Sequence, residues 1–507
     1  CNSIDSSWHN AISTCRKYVK EQEVQQYWIK ADLVSEITTY TVDDYLTRAT
    51  EERANYWREG IAIDDQFGLA FLEEEVHANM FIKRDKNAMR VDLHIKNMNY
   101  YLKHHRGAKY EITLKQIKRI HAFQTVGYFS DGTTLHALHN GPLHNGRRSI
   151  AHVDRPLVFD MITQSSAFLA NQVKPDGKFE YGHFPCFDRP IKWYNMLRHA
   201  STTYSMIEAY ALTNEQALIQ PIQLALHYLV KEGIRFVNSS GSKPIAYVVD
   251  WENEQEIKLG ANAAAILALS KYTTVFGTTD YRDLMTALAN GIAAMENKER
   301  GGFTHVLNYP DLSVKQQFRI VYYDGEATFA LMRLYAIDRN EEWLQLVERT
   351  FEYFIREDYW KHHDHWLSYC TNELTQYRPN KAYFQFGLNN VMEKLDFIEH
   401  RDTTYPTFLE LLMAAYKMVD QIEATGMSEL LEEDTRQRLK QAIEVRARHQ
   451  LNGFFFPETA MYFKAPHKIA GAFYIRHHSF RARIDDVEHN ISGYCQWYES
   501  FLTDGTE

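Results

Sequence analysis

Apolar residues recur with the 3.6-residue period of a helix through most of the chain, above all from about residue 156 onward. The periodic segments have the lengths of ordinary globular helices and end at polar or glycine-containing breaks. The pattern predicts a mainly α structure with eleven helices and a twelfth around residues 469–474. The eleven helices are predicted over residues 156–173, 197–212, 217–236, 259–276, 281–297, 325–337, 342–355, 382–397, 405–422, 429–449 and 485–501.

A short turn follows roughly every second predicted helix and usually combines Gly or Ser with an aromatic residue. A polar segment then leads into the next helix, so the repeating unit is a helical hairpin with a loop. Such hairpins must bury their apolar faces against neighbours, and roughly five or six of them are enough to close into a toroid. The predicted turns lie at residues 177–179, 239–242, 301–303, 366–369 and 453–456.

The first part of the chain has a mixed pattern, in which helical and strand-like segments alternate. We therefore predict two domains: a small N-terminal mixed α/β domain over residues 1–155 and a toroid of helical hairpins over residues 156–507. In the first domain the pattern predicts helices over 7–21, 41–57 and 89–105, strands over 110–114 and 123–129, and a hairpin turn at Asp131-Gly132.

Acids, amides, basic residues and aromatic rings concentrate in loops that come directly before predicted helices. The stretch 175–200 is the first example, because it ends in a polar cluster immediately before an apolar run. Helix N-termini present free N–H groups to polar ligands, and in a toroid these loops meet at one end. The predicted substrate-binding residues are Glu180, Tyr181, Tyr194, Asn195, Arg198, His199, Trp251, Glu252, Tyr322, Tyr323, Arg481 and Asn490.

Six further residues of these loops are predicted to carry the chemistry: Asp250, Asp324, Glu326, Asp485, Asp486 and His489. Glycoside hydrolysis requires a proton donor and a second carboxylate, about 5 Å apart for retention or about 6.5–9.5 Å for inversion. Epimerisation or β-elimination beside a uronic carboxylate instead requires a base, an acid and a cation. The candidates for that chemistry are Tyr194, His199 and His489, with Arg198 or Arg481 on the carboxylate.

Each acid also has a structural interpretation that the sequence leaves open. Asp485 and Asp486 suit the cap of a helix, and Glu326 suits a first helical turn, where the helix dipole favours an acid. Asp324 is followed by glycine and suits a turn.

Composition narrows the class of partner. The net charge of −10 is not the basic charge that is typical of a protein that binds nucleic acid. No apolar run approaches the ~18 residues of a membrane span. Five cysteines without CxxC spacing argue against a disulfide scaffold or a zinc finger. Two histidine-rich stretches, one with His136, His139 and His144 and the other at 362–365, lack convincing ligand spacing, so no metal and no cofactor are predicted.

The printed sequence begins with Cys1, which is followed by a polar segment. A mature bacterial lipoprotein begins with an acylated cysteine after removal of its signal peptide, and a simple boundary of the chosen segment is the alternative. We therefore expect a lipid anchor at Cys1 and a location in the bacterial cell envelope, either periplasmic or lipid-anchored.

The alternation of outer helix, Gly-Phe turn, aromatic-acid loop and inner helix resembles the (α/α)6 toroids, and the resemblance covers the predicted second domain. That group includes many glycoside hydrolases and lyases, the N-acylglucosamine 2-epimerases and the C-terminal domain of glucuronyl C5-epimerases. The motifs GKFEYG, YNMLRHA, GGF and YYDGEA resemble those of uncharacterised bacterial toroid proteins associated with envelope polysaccharides. The resemblance transfers no particular catalytic residue.

The resemblance implies a carbohydrate-active enzyme, a glycoside hydrolase or lyase that acts on an envelope or extracellular polysaccharide through carboxylates at the toroid mouth. Two alternatives remain: a non-catalytic glycan-binding or polysaccharide-assembly protein, and a uronate or amino-sugar epimerase. The expected partners are a polysaccharide or oligosaccharide and an envelope assembly component.

Overall fold

The computed structural model of the chain describes residues 4–21, 28–85, 90–139, 146–237 and 243–501. Contacts between Cα atoms divide the chain into two compact units. The first unit is Cys1–Ile150 together with Phe455–His467, and the second is Ala151–Phe454 together with Lys468–Glu507. Cys1, His144 and the predicted turn at residues 239–242, which entered the predictions above, lie outside the described residues.

Helices make up most of the described chain. They are α1 (Ile4–Glu21), α2 (Val42–Glu51), α3 (Glu73–Ala78), α4 (Ile95–His105), α5 (Arg155–Gln172), α6 (Met196–Thr213), α7 (Ile219–Tyr228), α8 (Leu259–Phe276), α9 (Arg282–Ala294), α10 (Tyr322–Asp338), α11 (Glu341–Arg356), α12 (His365–Tyr377), α13 (Lys381–Met392), α14 (Leu395–His400), α15 (Thr407–Ala424), α16 (Thr435–Gln450), α17 (Pro457–Ala460) and α18 (Ile484–Ser500).

The strands are short apart from two. They are β1 (Ile29–Thr41), β2 (Gly60–Ala62), β3 (Ala70–Phe71), β4 (Ile82–Asp85), β5 (Arg90–Leu93), β6 (Arg119–Ser130), β7 (Leu135–Ala137), β8 (Gly182–Phe184), β9 (Arg189–Pro190), β10 (Ile234–Val237), β11 (Ile245–Asp250), β12 (Glu256–Lys258), β13 (Val306–Asn308), β14 (Val314–Gln316) and β15 (Ala482–Arg483).

The first unit is built on an antiparallel sheet with the strand order β1-β6-β2-β3, in which β7 also pairs with β6. The Asp131-Gly132 turn joins β6 to β7 as predicted, and the Asp131 carboxylate accepts hydrogen bonds from the backbone N–H groups of Thr133 and Thr134. One core of buried rings and aliphatic side chains, including Trp57 and Phe71, packs the helices against this sheet. The mixed α/β prediction for the N-terminal part is therefore confirmed.

Two local predictions in this unit are wrong. Residues 110–114 form no strand, and Tyr110 and Leu114 are exposed, so they lack the partner strand and the burial that a strand requires. The predicted helix 89–105 begins only at Ile95, because residues 90–93 pair with β4 as a strand. The long strand β1, which the helical pattern did not indicate, pairs with β6 over nearly its whole length.

A segment from far along the chain completes the first unit. Glu458, in α17, is fully buried and accepts two hydrogen bonds from the Arg148 guanidinium, Nε to Oε1 and Nη2 to Oε2, each 2.9 Å long. The backbone N–H of Arg148 donates to the same carboxylate at 2.7 Å. A buried carboxylate of this kind is stable only with such a partner, so the pair fixes α17 in this unit.

The second unit is a closed ring of helical hairpins. The inner helices α6, α8, α10, α12, α15 and α18 each pack against the next, and α18 packs against α6 to close the ring. The outer helices α5, α7, α9, α11, α13 and α16 alternate with them along the chain. The predicted (α/α)6 toroid is therefore confirmed.

The sequence of each helix matches its layer. In α8 every residue from Leu259 to Ser270 is buried, as expected of a helix that is surrounded by others. The outer helix α11 buries one face, which includes Trp343 and Phe351, and exposes its charged residues. Because the two layers run in opposite directions, the N-termini of all six inner helices lie at one end of the ring.

One inner helix was assigned wrongly from the sequence. Residues 469–474, the predicted twelfth helix, form no helix, whereas residues 366–369, predicted as a turn, belong to α12. Helix α12 begins after Asp364, whose side chain accepts a hydrogen bond from the Trp366 N–H at 3.0 Å. This N-cap, followed by buried apolar positions, is the local signal for the helix.

Candidate active site

A cavity of about 280 Å³ opens at the end of the toroid where the inner helices begin. Five of the six inner helices contribute to its wall, together with the loops that precede α15 and α18. It therefore lies where the sequence predicts the functional loops to meet. Its lining residues are Arg198, Tyr322, Glu326, His365, Trp366, Thr403, Thr404, Tyr405, Pro406, Thr407, Ile475, His477, His478, Arg481, Arg483, Asp485, Asp486 and His489.

Two histidines lie against each other in the wall of this cavity. The ring centroids of His365 and His489 are 5.3 Å apart, and the rings are nearly perpendicular. Glu410 on α15 binds His489, with 3.0 Å between Oε2 and Nδ1, and its other oxygen accepts a hydrogen bond from the Tyr369 hydroxyl at 3.3 Å. His365 Nε2 has no hydrogen-bond partner among the described residues.

The two histidines are held in opposite protonation states. Burial lowers the pKa of His365 well below its ordinary value, and the positive charges of His489 and Arg198 lower it further. Burial also lowers the pKa of His489, but the carboxylates of Glu410 and Glu488 outweigh it and raise the pKa to about 9. Near neutral pH His365 is thus a neutral base and His489 a cationic acid.

The pKa values of the carboxyl groups of the site are also shifted in opposite directions. Burial raises the pKa of Glu326 to about 7, and its Oε2 has no hydrogen-bond partner within the described chain. Burial also acts to raise the pKa of Asp485, but the guanidinium groups of Arg198 and Arg483, at 3.4 and 2.8 Å, outweigh it and keep the pKa lowered. Burial raises the pKa of Glu488 to about 8, although the positive charges of His489 and Arg198 act to lower it.

Asp486 takes part in the start of α18. Its Oδ2 accepts hydrogen bonds from the Arg483 backbone N–H at 3.3 Å and from Arg481 Nε at 3.1 Å. The carboxylate therefore occupies the capping position that the sequence had left as an alternative, and it holds two arginines at the cavity. Its predicted catalytic role remains a prediction.

A glycine beneath the cavity makes room for Glu326. A Cβ atom on Gly260 of α8 would overlap Glu326 Oε2 and would lie 2.7 Å from Tyr323 Cδ1 and 2.8 Å from Leu197 Cδ1. No real Cβ atom approaches its neighbours so closely, so the position of the Glu326 carboxyl depends on this glycine.

Several residues with predicted roles lie outside the cavity wall. Asp250 forms a buried ion pair with Lys258, with 2.6 Å between Oδ2 and Nζ. Trp251 donates from its indole N–H to the Glu232 carbonyl, and Glu252 pairs with Lys178. These contacts hold the loop before α8, and the roles predicted for the three residues in chemistry or binding are not tested by them.

The motif before α6 is also held by internal contacts. Asn195 caps α6 through the Leu197 N–H, and only Arg198 of this motif reaches the cavity. His199 lies between the Tyr194 hydroxyl at Nδ1 and the Ala225 carbonyl at Nε2, and burial lowers its pKa to about 4. Glu180 pairs with Lys174 at 3.1 Å.

Three other predicted binding residues lie close behind the cavity wall. Burial raises the pKa of the Tyr181 phenol, and the negative charge of Asp485 raises it further. Tyr323 stacks at an angle on His305, with 5.4 Å between ring centroids. Asn490 donates its amide N–H to the Asp486 carbonyl at 2.8 Å. Asn490 thus contacts a residue of the wall, and a direct role of all three residues in binding stays a prediction.

Asp324 lies in a fully buried network beside the cavity wall. Its Oδ2 accepts hydrogen bonds from His305 Nε2 and the Tyr359 hydroxyl, each at 2.9 Å, and its Oδ1 accepts from the Phe303 N–H. His305 Nδ1 accepts the Arg319 N–H at 2.9 Å, so the proton of His305 is on Nε2 and points at Asp324. The arrangement anchors the Gly301–Phe303 turn to α10.

We expect Asp324→Asn to destabilise the toroid, because an amide donor replaces one acceptor of this network. The cost is about 1–3 kcal/mol for each donor left without an acceptor. Urea denaturation followed by circular dichroism measures it. A purely catalytic Asp324 would give the opposite pattern: unchanged stability and lost turnover below the unfolding transition.

The sequence missed His365 and Glu410. His365 was considered only within the histidine-rich stretch 362–365 as a weak metal ligand, and its position at the start of an inner helix would have placed it at the mouth. Glu410 is the fourth residue of α15 and follows two apolar residues, so no local sequence pattern indicates a functional role for it.

His365, Glu410 and His489 also carry the donor atoms that a divalent metal takes, all within 4.8 Å of one another. A histidine must be neutral to bind a metal. Because the Glu410 carboxylate raises the pKa of His489 to about 9, a metal ion would have to displace a proton from His489 near neutral pH.

Comparisons with known proteins bear on the fold. No protein-family model matches the chain, and no curated protein matches it in sequence. Among solved structures, a cellobiose 2-epimerase from Bacillus thermoamylovorans superposes with a TM-score of 0.51, at 12% identity over 68% of this chain and 100% of that one. A D-mannose isomerase gives the same TM-score and identity over 70% of this chain and 100% of its own.

Both of these proteins are named as enzymes that act on sugars, and the chain shares their toroid fold. At this level of identity the likeness establishes the fold alone, which is the (α/α)6 toroid that the sequence predicted. Among the described helices, none has the combination of length and apolar character that crossing a bilayer requires.

Proposed function

We propose that this protein is a carbohydrate-active enzyme that epimerises or isomerises a sugar by moving a proton on a carbon beside the carbonyl. The observation that carries the proposal is the pair His365 and His489 in the cavity wall, one neutral and one cationic. Two groups whose surroundings push their pKa values apart are suited to act as base and acid. The fold shared with a sugar epimerase and a sugar isomerase supports the same choice.

The chemistry follows from the positions of these groups. His365 Nε2, which has no partner in the described chain, removes the proton from the carbon, and the electrons of the C–H bond form an enediol. His489 donates its proton to the carbonyl oxygen as the enediol forms, and Arg198 stabilises the developing negative charge. For an epimer, His489 recovers the proton of the enediol hydroxyl and delivers it to the other face of the same carbon, and the proton taken by His365 exchanges with solvent. For an isomer, His365 returns its proton to the former carbonyl carbon, and the hydroxyl on the first carbon passes its proton to His489 as the new carbonyl forms.

Hydrolysis remains a second candidate because the site also holds two carboxyl groups in different states. Glu326 is protonated up to about pH 7 and would donate to the leaving oxygen, while Asp485 stays ionised beside Arg198. Glycoside cleavage requires one protonated and one ionised carboxyl group of this kind. Glu326 and Asp485 both belong to the catalytic residues predicted from the sequence, so this candidate retains the predicted hydrolase chemistry.

The substrate in this proposal is the reducing end of an oligosaccharide or a free sugar. In the hydrolase alternative, the substrate is the predicted envelope or extracellular polysaccharide. The envelope location and an assembly partner remain proposals. They rest on the sequence alone. Glycan binding without turnover is the remaining alternative.

Solvent exchange separates these functions. The full chain is incubated in deuterium oxide with cellobiose, mannose, glucuronate and N-acetylglucosamine, and the products are followed by proton NMR and mass spectrometry. We expect deuterium at the carbon beside the carbonyl, with the sugar chain intact. Cleavage without carbon-bound deuterium would establish hydrolysis, and calorimetric binding without either product would establish a binding protein.

The pH dependence of turnover gives an independent prediction. With His489 as the acid, activity is present below about pH 9 and is lost as the pH rises through that value, because His489 then loses its proton. With Glu326 as the acid, the loss would come near pH 7. Glu410→Gln removes a charge that raises the pKa of His489, so it should move the loss to lower pH. If activity is lost near pH 7 in both the wild-type protein and Glu410→Gln, the assignment of His489 as the acid is contradicted.

A further inference from the structure

A second cavity lies farther along the inner helices than the first, toward their C-terminal ends. Its volume is about 180 Å³, and its wall is built from all six inner helices, from Tyr204 on α6 to Glu499 on α18. None of its lining residues belongs to the lining of the first cavity. Rigid helices, not loops, therefore hold every group that faces this space.

The formal charges in this wall are balanced by pairing. The carboxylate of Glu410, at the inner end, pairs with His489 at 3.0 Å. The other charges form the ion pairs Arg333–Glu373, Lys417–Glu499 and Lys271–Glu208, with N–O distances of 3.0, 3.4 and 4.0 Å. A charged ligand would be repelled by a like charge beside each charge that attracts it. The wall therefore selects for a neutral ligand.

The same wall offers hydrogen-bonding groups and an apolar face. Asn372 is 8% exposed, its Nδ2 donates to the Ala414 carbonyl at 2.8 Å, and its Oδ1 has no partner among the described residues. A buried carbonyl oxygen without a partner costs free energy, which a ligand hydroxyl would recover. Phe329 and Tyr369 are stacked beside it, with 5.4 Å between ring centroids.

We propose that this second cavity binds a neutral, polyhydroxylated molecule of the size of one sugar ring. Carboxylates and amides accept from hydroxyl groups, ammonium and guanidinium groups donate to them, and the stacked rings of Phe329 and Tyr369 supply apolar contacts. Pockets for drug-sized ligands have volumes of about 300–1,000 Å³, so this smaller space suits a monosaccharide or cyclitol better than an oligosaccharide. The proposal does not depend on the reaction at the first cavity.

Calorimetric titration of the full chain with D-glucose, D-mannose and myo-inositol, each alone, tests the proposal. Thr407→Trp fills the first cavity, Gln376→Trp fills the second from an exposed position, and Asn372→Leu removes the unpartnered acceptor. Gln385→Trp, an exposed glutamine on the outer helix α13, is the matched control.

For at least one probe we expect binding that Thr407→Trp and Gln385→Trp leave unchanged. Gln376→Trp should abolish that binding, and Asn372→Leu should weaken it about tenfold, as the loss of one hydrogen bond to a neutral group predicts. The proposal is overturned if no probe binds, or if all binding disappears in Thr407→Trp and persists in Gln376→Trp. Gln376→Trp decides the question if Asn372→Leu fails to fold.

Discussion

Replacement of His365 by asparagine is expected to lower turnover by about 100- to 10,000-fold, the range that loss of a positioned general base produces. The fold should survive, because His365 Nε2 has no hydrogen-bond partner to lose among the described residues and asparagine is smaller and polar. Substrate affinity should change little. The measurement is the rate of deuterium incorporation into the sugar, with the melting temperature as a check on folding.

His489→Asn should differ from His365→Asn in one respect. It should lower turnover by a similar factor, but it also leaves Glu410 buried without its cation at 3.0 Å. Breaking a buried ion pair costs about 3–5 kcal/mol, so this variant alone should lose stability in urea denaturation. The loss of stability thus distinguishes His489, the acid that is held by an ion pair, from His365, the base.

His362→Asn is the matched control, since His362 is an exposed histidine only three residues before His365. We expect wild-type turnover from this variant. Full activity in both His365→Asn and His489→Asn would refute the proton-transfer assignment. Activity that instead disappears in Glu326→Gln and Asp485→Asn would move the chemistry to the two carboxyl groups.

Gly260→Ala is expected to destabilise the toroid by about 1–3 kcal/mol, the usual cost of overpacking a core. In the interior of an ordinary helix, replacement of glycine by alanine increases stability, because alanine favours the helical conformation over glycine by about 1 kcal/mol. Here the new Cβ would overlap Glu326 Oε2 and press on Tyr323 and Leu197. Turnover should fall as well if Glu326 takes part in substrate binding or catalysis, because its carboxyl must move.

A double-mutant cycle makes this prediction specific. Glu326→Ala removes the atom that the new Cβ would overlap, so Gly260→Ala should cost much less in that background. Gly493→Ala, on the inner helix α18, is the control, since the nearest atom to its Cβ would be 3.1 Å away and a small shift suffices. Equal destabilisation by Gly260→Ala with and without Glu326 would show that other contacts cause it.

Much of the candidate site could be located from the sequence because of one structural rule. The inner helices of a toroid all begin at one end, so polar loops that precede every second helix must meet there. Arg198, Tyr322, Glu326, Arg481, Asp485, Asp486 and His489 line the first cavity for that reason. Asp250, Asp324 and His199 come from the same loops, but their side chains turn into the packing between helices.

The sequence by itself determined the helical hairpins, because apolar periodicity, caps and turns are local properties of the chain. Only the tertiary structure decided which polar groups meet. Glu410 and His489 are 79 residues apart, and Arg148 and Glu458 are 310 residues apart. Their distances depend on ring closure and on the packing of distant segments, which no local pattern encodes. The same holds for the pKa values of His365, Glu326 and His489, because burial and the facing charges set them only in the folded chain.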